Sequence, residues 1–212
     1  MNIALIGATG FIGTALLNEA LARKHSVTAL VGHPEKLTPH PALRAQQADV
    51  FDLAALTSQL RGADAVISAF SGHGDADTLA YYVAGIKNVI TAAKEAGAPR
   101  LLVVGGAGSL EVAPGVQLID TPQFPAAYKA TAEGARQALQ LLRQETTLDW
   151  TMLSPAAMLA PGQRSGVFRI GGDQLLVDAD GKSAISVEDY AVAMIDELEA
   201  PRHTRRRFTL AY

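Results

Sequence analysis

Seven residues near the start of the chain, Gly7-Ala8-Thr9-Gly10-Phe11-Ile12-Gly13, constrain its fold more than any other stretch. They follow a short apolar run, Asn2-Ile3-Ala4-Leu5-Ile6, and lead into residues 11–23, where Ile12, Leu16, Leu17 and Leu21 recur at helical spacing. A strand that turns at a glycine straight into a helix opens a β-α-β unit. Each glycine has its own use there. Gly7 suits the tight turn, Gly10 lets a ligand group approach the backbone, and Gly13 lets the helix lie close on the strand. The helix start presents free N–H groups and the positive end of its dipole, a setting that suits phosphate.

The same alternation continues. Residues 26–31 are a β-branched run stopped by Gly32 and Pro34. A helix over 52–60 leads to a strand over 63–68, and a helix over 78–96 ends at Gly97 and Pro99. Leu101-Leu102-Val103-Val104 is a further buried strand, residues 125–145 are helical, and Trp150-Thr151-Met152-Leu153 is a strand before Pro155. Continuous apolar runs mark strands covered on both faces. Strands alternating with helices imply a parallel sheet between two helical layers, joined by right-handed crossovers. The expected class is therefore α/β, a Rossmann-type doubly wound parallel sheet, folded as a single domain over residues 1–212. After Pro155 the pattern changes to a glycine-rich stretch, with short strand candidates at 166–170 and 174–178. Residues 156–185 are expected to add a small substrate-side lobe. Ser186-Val187-Glu188-Asp189 has the form of a capped helix start; that helix runs to 199, and 206–211 is a last strand.

Composition excludes several roles. Eighteen lysines and arginines stand against 21 acids, a net charge of -3, which is no basis for coating nucleic acid. The run Arg202-His203-Thr204-Arg205-Arg206-Arg207 then reads as a solvated turn before an edge strand, its charges discouraging sheet-to-sheet pairing. At 49% hydrophobic and 18% charged, the chain buries a large core. With no cysteine, disulfides, thiolate nucleophiles and zinc-cysteine sites are ruled out. No apolar stretch reaches the roughly 18 residues of a membrane span, and no basic leader is visible. The expectation is a cytoplasmic monomer or homodimer that acts on a small molecule.

The spacing Thr9-Gly10-Phe11-Ile12-Gly13 resembles the extended and atypical branches of the short-chain dehydrogenase/reductase superfamily. Pro34-Glu35-Lys36-Leu37, Ala48-Asp49-Val50-Phe51-Asp52-Leu53 and Ala63-Asp64-Ala65-Val66-Ile67-Ser68-Ala69 are similar to segments of its NmrA-like and biliverdin-reductase-B-like members. Gly105-Gly106-Ala107-Gly108-Ser109-Leu110, Asp149-Trp150-Thr151-Met152-Leu153-Ser154-Pro155 and Ile185-Ser186-Val187-Glu188-Asp189-Tyr190-Ala191 resemble the group named for NADH-flavin reductase activity. The resemblance implies a nicotinamide dinucleotide held by Gly7, Thr9, Gly10, Phe11 and Ile12. It places Asp49 and Val50 near the adenine, Ser68, Ala69 and Phe70 along the cofactor wall, and Pro155 on the far side. The end of the second strand, Val31-Gly32-His33, lacks the acid that holds the NAD ribose, while His33 and Lys36 offer cations. NADP is expected, with NAD as the alternative.

Members of the superfamily share the chemistry among a serine, a tyrosine and a lysine, the last two spaced Tyr-x-x-x-Lys on one helical turn. Here Tyr128 is directly followed by Lys129, and neighbouring helical residues point about 100° apart. Lys129-Ala130-Thr131-Ala132-Glu133 resembles the Lys-x-x-x-Glu of the atypical branch, which puts Lys129 at the ribose and Pro125 in the tyrosine slot. Ser109 matches the serine. Tyr128 serves either packing or catalysis, and His73 reads as an exposed loop residue, with contact to substrate as the alternative. Phe124, Met158 and Phe168 are expected to roof a planar ring. The resemblance implies an NAD(P)H-dependent reductase of a flavin, quinone or similar planar conjugated acceptor. A non-catalytic NmrA-like dinucleotide sensor is the alternative, and a sugar-nucleotide epimerase, which needs the tyrosine, ranks third.

Overall fold

In the computed structural model, which describes residues 1–72 and 76–212, the first apolar run becomes β1 (Asn2–Ile6) and turns at Gly7 into α1 (Phe11–Ala22). The chain continues through β2 (Ser26–Val31), β3 (Leu43–Gln47), α2 (Leu53–Leu60), β4 (Ala65–Ser68), α3 (Thr78–Glu95) and β5 (Arg100–Val104). A hairpin of β6 (Glu111–Ala113) and β7 (Val116–Gln117) precedes α4 (Lys129–Gln144) and β8 (Asp149–Ser154). The last stretch holds β9 (Met158–Ala160), β10 (Arg169–Gly171), β11 (Ala184–Ser186), α5 (Val187–Glu199) and β12 (Arg206–Ala211).

Eight strands form one sheet in the order β10-β12-β8-β5-β4-β1-β2-β3. All neighbours are parallel except β10, which runs antiparallel to β12. Side chains alternate across the sheet, as a period of two requires. Ile3 and Leu5 pack on one face with Leu16 of α1 and Tyr190, Met194 and Ile195 of α5. Ala4 and Ile6 pack on the other with Leu56 of α2, Ile86 of α3 and Leu139 of α4. The strand order reverses at β1, whose neighbours are β2 and β4. Open α/β sheets bind ligands at such a reversal, outside the strand C-termini.

Several local expectations need correction. β3 reads Leu43-Arg44-Ala45-Gln46-Gln47 and shows no alternation, because as an edge strand it is only half covered. Residues 174–178 form no strand beyond a single bridge from Gln174 to Glu111. The helix expected from 125 starts at Lys129; Ala126–Tyr128 is a 3-10 turn after Pro125. The last strand, β12, is not at an edge but lies between β8 and β10. Arg202, Thr204, Arg205 and Arg206 of the basic run stay exposed, as expected of a solvated turn, while the end of the run turns inward. Arg207 is buried against Asp173, Arg205 pairs with Asp149, and His203 meets Glu197.

Glu145, which closes α4, accepts from Lys94 Nζ at 2.8 Å and from the Thr147 N–H at 2.7 Å. The lysine first, and then the turn's donors, hold its carboxyl down to about 2. A lowered carboxyl pKa stabilises the fold while the group is ionised. The contribution is therefore whole above about 4.5 and lost as pH falls towards 2. Glu145→Gln should remove that part of the acid sensitivity. Urea denaturation at stepped pH should show a shallower loss for the variant than for the parent; parallel curves would contradict this.

Candidate functional site

The glycine loop sits at the strand-order reversal, and its three glycines differ. Gly7 has φ 82°, and a Cβ there would lie 2.8 Å from Ala69 O. A Cβ on Gly13 would lie 2.0 Å from Gly7 O. The fold itself requires both. Gly10 has an extended φ of -77°, and a Cβ would meet only Gly7 O, at 3.4 Å. Nothing in the protein's own packing demands glycine at 10; a group lying against this turn would. Gly10 caps α1 with no side-chain acceptor, and the first turn carries no acid. The first-turn N–H groups and the positive dipole end suit an anion, and Thr9, Gly10 and Phe11 are exposed around them.

From this loop a cavity of about 600 Å³ extends across the C-terminal ends of β1 to β4. Gly7 and Thr9 line one side, Asp49, Val50 and Gly32 the β2–β3 side, and Phe70 and Tyr81 the side towards α3. Asp49 Oδ1 accepts from the Phe51 N–H at 2.9 Å, while Asn88 Nδ2 donates to Val50 O at 3.1 Å. Ser68 is buried and accepts from the Phe70 N–H at 3.4 Å; Ala69 N–H bonds Ile6 O at 2.9 Å. Ser68 and Ala69 thus shape the loop that carries Phe70.

His33 and Lys36 stand exposed on the turn Pro34–Lys36, outside the cavity lining. His33 Nδ1 lies 3.1 Å from the Glu35 carboxylate. The Glu35 carboxyl is held below its ordinary value by its own backbone N–H and by His33. An acid that the sequence reading did not weigh therefore stands beside the expected cation.

The residues assigned to catalysis differ widely in exposure. Ser109 is 3% exposed; its Oγ lies 3.3 Å from Arg207 Nη1, in a buried cluster with Ser154. Tyr128 is 64% exposed at the end of the 3-10 turn, and Lys129, also exposed, opens α4. Pro155 is buried at the end of β8. The corner before it is fixed from several sides. Tyr190 OH and the Gly105 N–H both donate to Leu153 O, at 2.7 and 2.8 Å, and Thr209 Oγ1 donates to Ser154 O at 2.8 Å. The expected roof is not formed. Phe168 packs on the α1–α5 core, Phe124 sits beside Gly108, and Met158 lines a separate pocket of about 450 Å³ with Val167 and Tyr212. His73 lies outside the described residues. Sequence reasoning missed Phe51 and Tyr81; for Phe51 the available signal was its place directly after Asp49-Val50, and for Tyr81 the chain offers none.

Residues 7–201 match the family described as NAD(P)H-binding. The uncharacterized protein YwnB of Bacillus subtilis (strain 168) is 42% identical over 213 residues, covering 99% of this chain and 98% of that protein. A Bacteroides thetaiotaomicron protein, provisionally named an epimerase, superposes with a TM-score of 0.94 at 46% identity, over 100% of this chain and 96% of that one. SP1627 of Streptococcus pneumoniae TIGR4, provisionally named an NADH-flavin reductase, gives 0.87 at 36% identity, over 100% and 99% of the two chains. Strand order, glycine loop and family match agree: the chain belongs to the NAD(P)H-binding family and has its Rossmann-type fold.

Proposed function

We propose that this protein is an NAD(P)H-dependent reductase that passes hydride to a flavin, a quinone or a similar planar conjugated acceptor. The observation that carries the reading is the glycine loop opening into the cavity at the strand-order reversal. The open space at Gly10 fits a pyrophosphate. Thr9, Phe11 and Ile12 would hold it with their backbone, Asp49 and Val50 would face the adenine, Lys129 the ribose, and Pro155 the nicotinamide side. When bound, the reduced nicotinamide supplies the hydride. The protein's part is to bind, orient and exclude water. With Pro125 four residues before Lys129, proline takes the position of the usual proton-relay tyrosine. Acceptors that take their proton from solvent fit that arrangement, and an epimerase does not. The name of SP1627 agrees with the reading. The empty tyrosine slot equally favours a second reading, a dinucleotide sensor without turnover. Oxidation of NADPH and NADH against a panel of flavins, quinones and tetrapyrroles tests the choice: turnover supports the reductase, and tight binding without turnover the sensor.

Ser109 accepts from Arg207, which leaves its own hydrogen free to donate. Because it is buried, Ser109→Ala should lower turnover only about tenfold, below the roughly 10²–10³ of a fully engaged donor. Tyr128→Phe should matter less, and Lys129→Ala should chiefly raise the cofactor dissociation constant. Abolished turnover in Tyr128→Phe, with binding intact, would make Tyr128 the acid after all.

NADP(H) is the proposed cofactor, with NAD(H) the alternative. If His33 and Lys36 meet the 2′-phosphate, alanine at both positions should weaken NADPH binding and leave NADH binding nearly unchanged. The loss should shrink with salt, since exposed charges are screened over about 8–10 Å. Equal effects on the two dinucleotides would assign both residues to the surface alone, and would point to Glu35 as the dominant charge there.

A further inference from the structure

Three aromatic side chains from separate elements meet beside the cavity, and two of them, Phe70 and Tyr81, line it. Phe51 follows Val50, Phe70 follows β4, and Tyr81 lies in the first turns of α3. The Phe51 and Tyr81 ring centres are 4.7 Å apart, and those of Phe70 and Tyr81 are 5.6 Å apart with planes at 34°. Phe51 meets Phe70 edge-on at 6.5 Å. The arrangement is built. A Cβ on Gly85 of α3 would come within 2.3 Å of the Phe70 ring, so glycine there makes room for it. Tyr82 braces the other side of Phe70 at 6.0 Å. Asp49 Oδ1 fixes the Phe51 backbone N–H at 2.9 Å.

Phe51 is nonetheless 40% exposed, an unusual setting for a phenylalanine held in such a cluster. Phe70 and Tyr81 line the cavity together with Gly7 and Gly32. A Cβ at Gly32 would touch nothing within 4 Å, so that side is open. A slot lined by aromatic rings and by glycine backbone has the form of a site for a flat ring. All its lining comes from the ends of β1 to β4 and from α2 and α3, on the β2–β3 side of the glycine loop.

We infer that Phe51, Phe70 and Tyr81 form an aromatic wall that stacks on the adenine end of the dinucleotide, with Tyr81 and Phe51 as determinants of cofactor affinity. The inference rests on the dinucleotide reading above and adds residues that no glycine motif contains. Asp49 joins the two tasks: the carboxylate near the base also sets the position of Phe51.

The test is fluorescence titration of Tyr81→Ala and Phe51→Ala with NADPH and NADH, with ADP-ribose by competition, and with reduced nicotinamide mononucleotide, which lacks adenine. Loss of one base-stacking ring should raise the dissociation constants of NADPH, NADH and ADP-ribose by about five- to a hundredfold. The mononucleotide should bind as before. Tyr81→Phe keeps the ring and should restore most of the affinity; Tyr81→Leu keeps apolar bulk without the ring and should not. Thermal melts identify variants that fail to fold, and the leucine variant then carries the test. Unchanged dinucleotide affinity in folded Tyr81→Ala and Phe51→Ala would overturn the inference, as would an equal loss for the mononucleotide. A parent protein that binds none of the dinucleotides would instead overturn the cofactor reading beneath it.

Discussion

Valine in place of Gly10 should leave the protein folded and weaken NAD(P)H binding by about 1–3 kcal/mol, the scale of a small-to-large change in a packed contact. The protein's own atoms leave that space open, since the nearest one to an added Cβ is Gly7 O at 3.4 Å. A modest stability loss, under about 1 kcal/mol, is expected because glycine is the better N-cap. Gly13→Ala should behave in the opposite way. Its Cβ would lie 2.0 Å from Gly7 O, a backbone atom that cannot move without unmaking the turn. That variant should lose most of its stability whether or not cofactor is present. Melting temperature and titration together separate the two. Undiminished affinity in a folded Gly10→Val protein would contradict the assignment of this loop.

The second large effect is expected at the opposite end of the sheet. Glu197 of α5 is 4% exposed, and it accepts from Arg100 Nη2 at 2.8 Å, His203 Nδ1 at 2.8 Å, and the N–H groups of Arg202 and His203 at 3.1 and 2.9 Å. Burial opposes its charge, but the His203, Arg100 and Arg202 donors together hold its carboxyl below the ordinary value. Glu197→Ala would strand the largely buried Arg100 guanidinium and two backbone donors. Removing one partner of a buried pair costs about 3–5 kcal/mol, because the other charge is left uncompensated. Glu197→Gln, which keeps an acceptor, should cost less. Urea denaturation should show the midpoint falling with the slope unchanged. Arg100 opens β5 at its N-terminal end, so dinucleotide affinity of the folded fraction should not change. A stability loss under about 1 kcal/mol in Glu197→Ala would mean that the cluster is not a packing element of the α5–sheet junction.

The parts of this fold that were legible in the chain are those set by local chemistry. Gly7, with its positive φ, and Gly13, whose Cβ would strike Gly7 O six residues back, occupy positions whose demand for glycine is local. The apolar runs of β1, β2, β4, β5 and β8 are continuous because each strand is covered on both faces. β3 escaped because an edge strand needs no such run. What was illegible depends on contacts distant in sequence. Ser109 looks like an accessible loop hydroxyl until Arg207, 98 residues later, closes over it. Arg207 looks like the rest of the solvated arginine run until β10 pairs outside β12 and Asp173 comes to meet it. Phe168 looks like a roof over the crevice, but packs with α1 and α5 on the opposite face. Tyr81 gives no sign in sequence that it faces the cavity, because its partners Phe51 and Phe70 come from two other elements.

The central claim is hydride transfer from a nicotinamide bound in this crevice. Its most direct test is a single turnover without oxygen: the protein loaded with one equivalent of NADPH, mixed with excess FMN, and followed at the nicotinamide and flavin absorbance bands. Each NADPH oxidised should be matched by one flavin reduced, faster than in the protein-free mixture, and Gly10→Val should abolish the advantage. NADPH that binds stoichiometrically but is never oxidised, with FMN or with a quinone or tetrapyrrole in its place, would contradict the account and leave a dinucleotide-binding sensor.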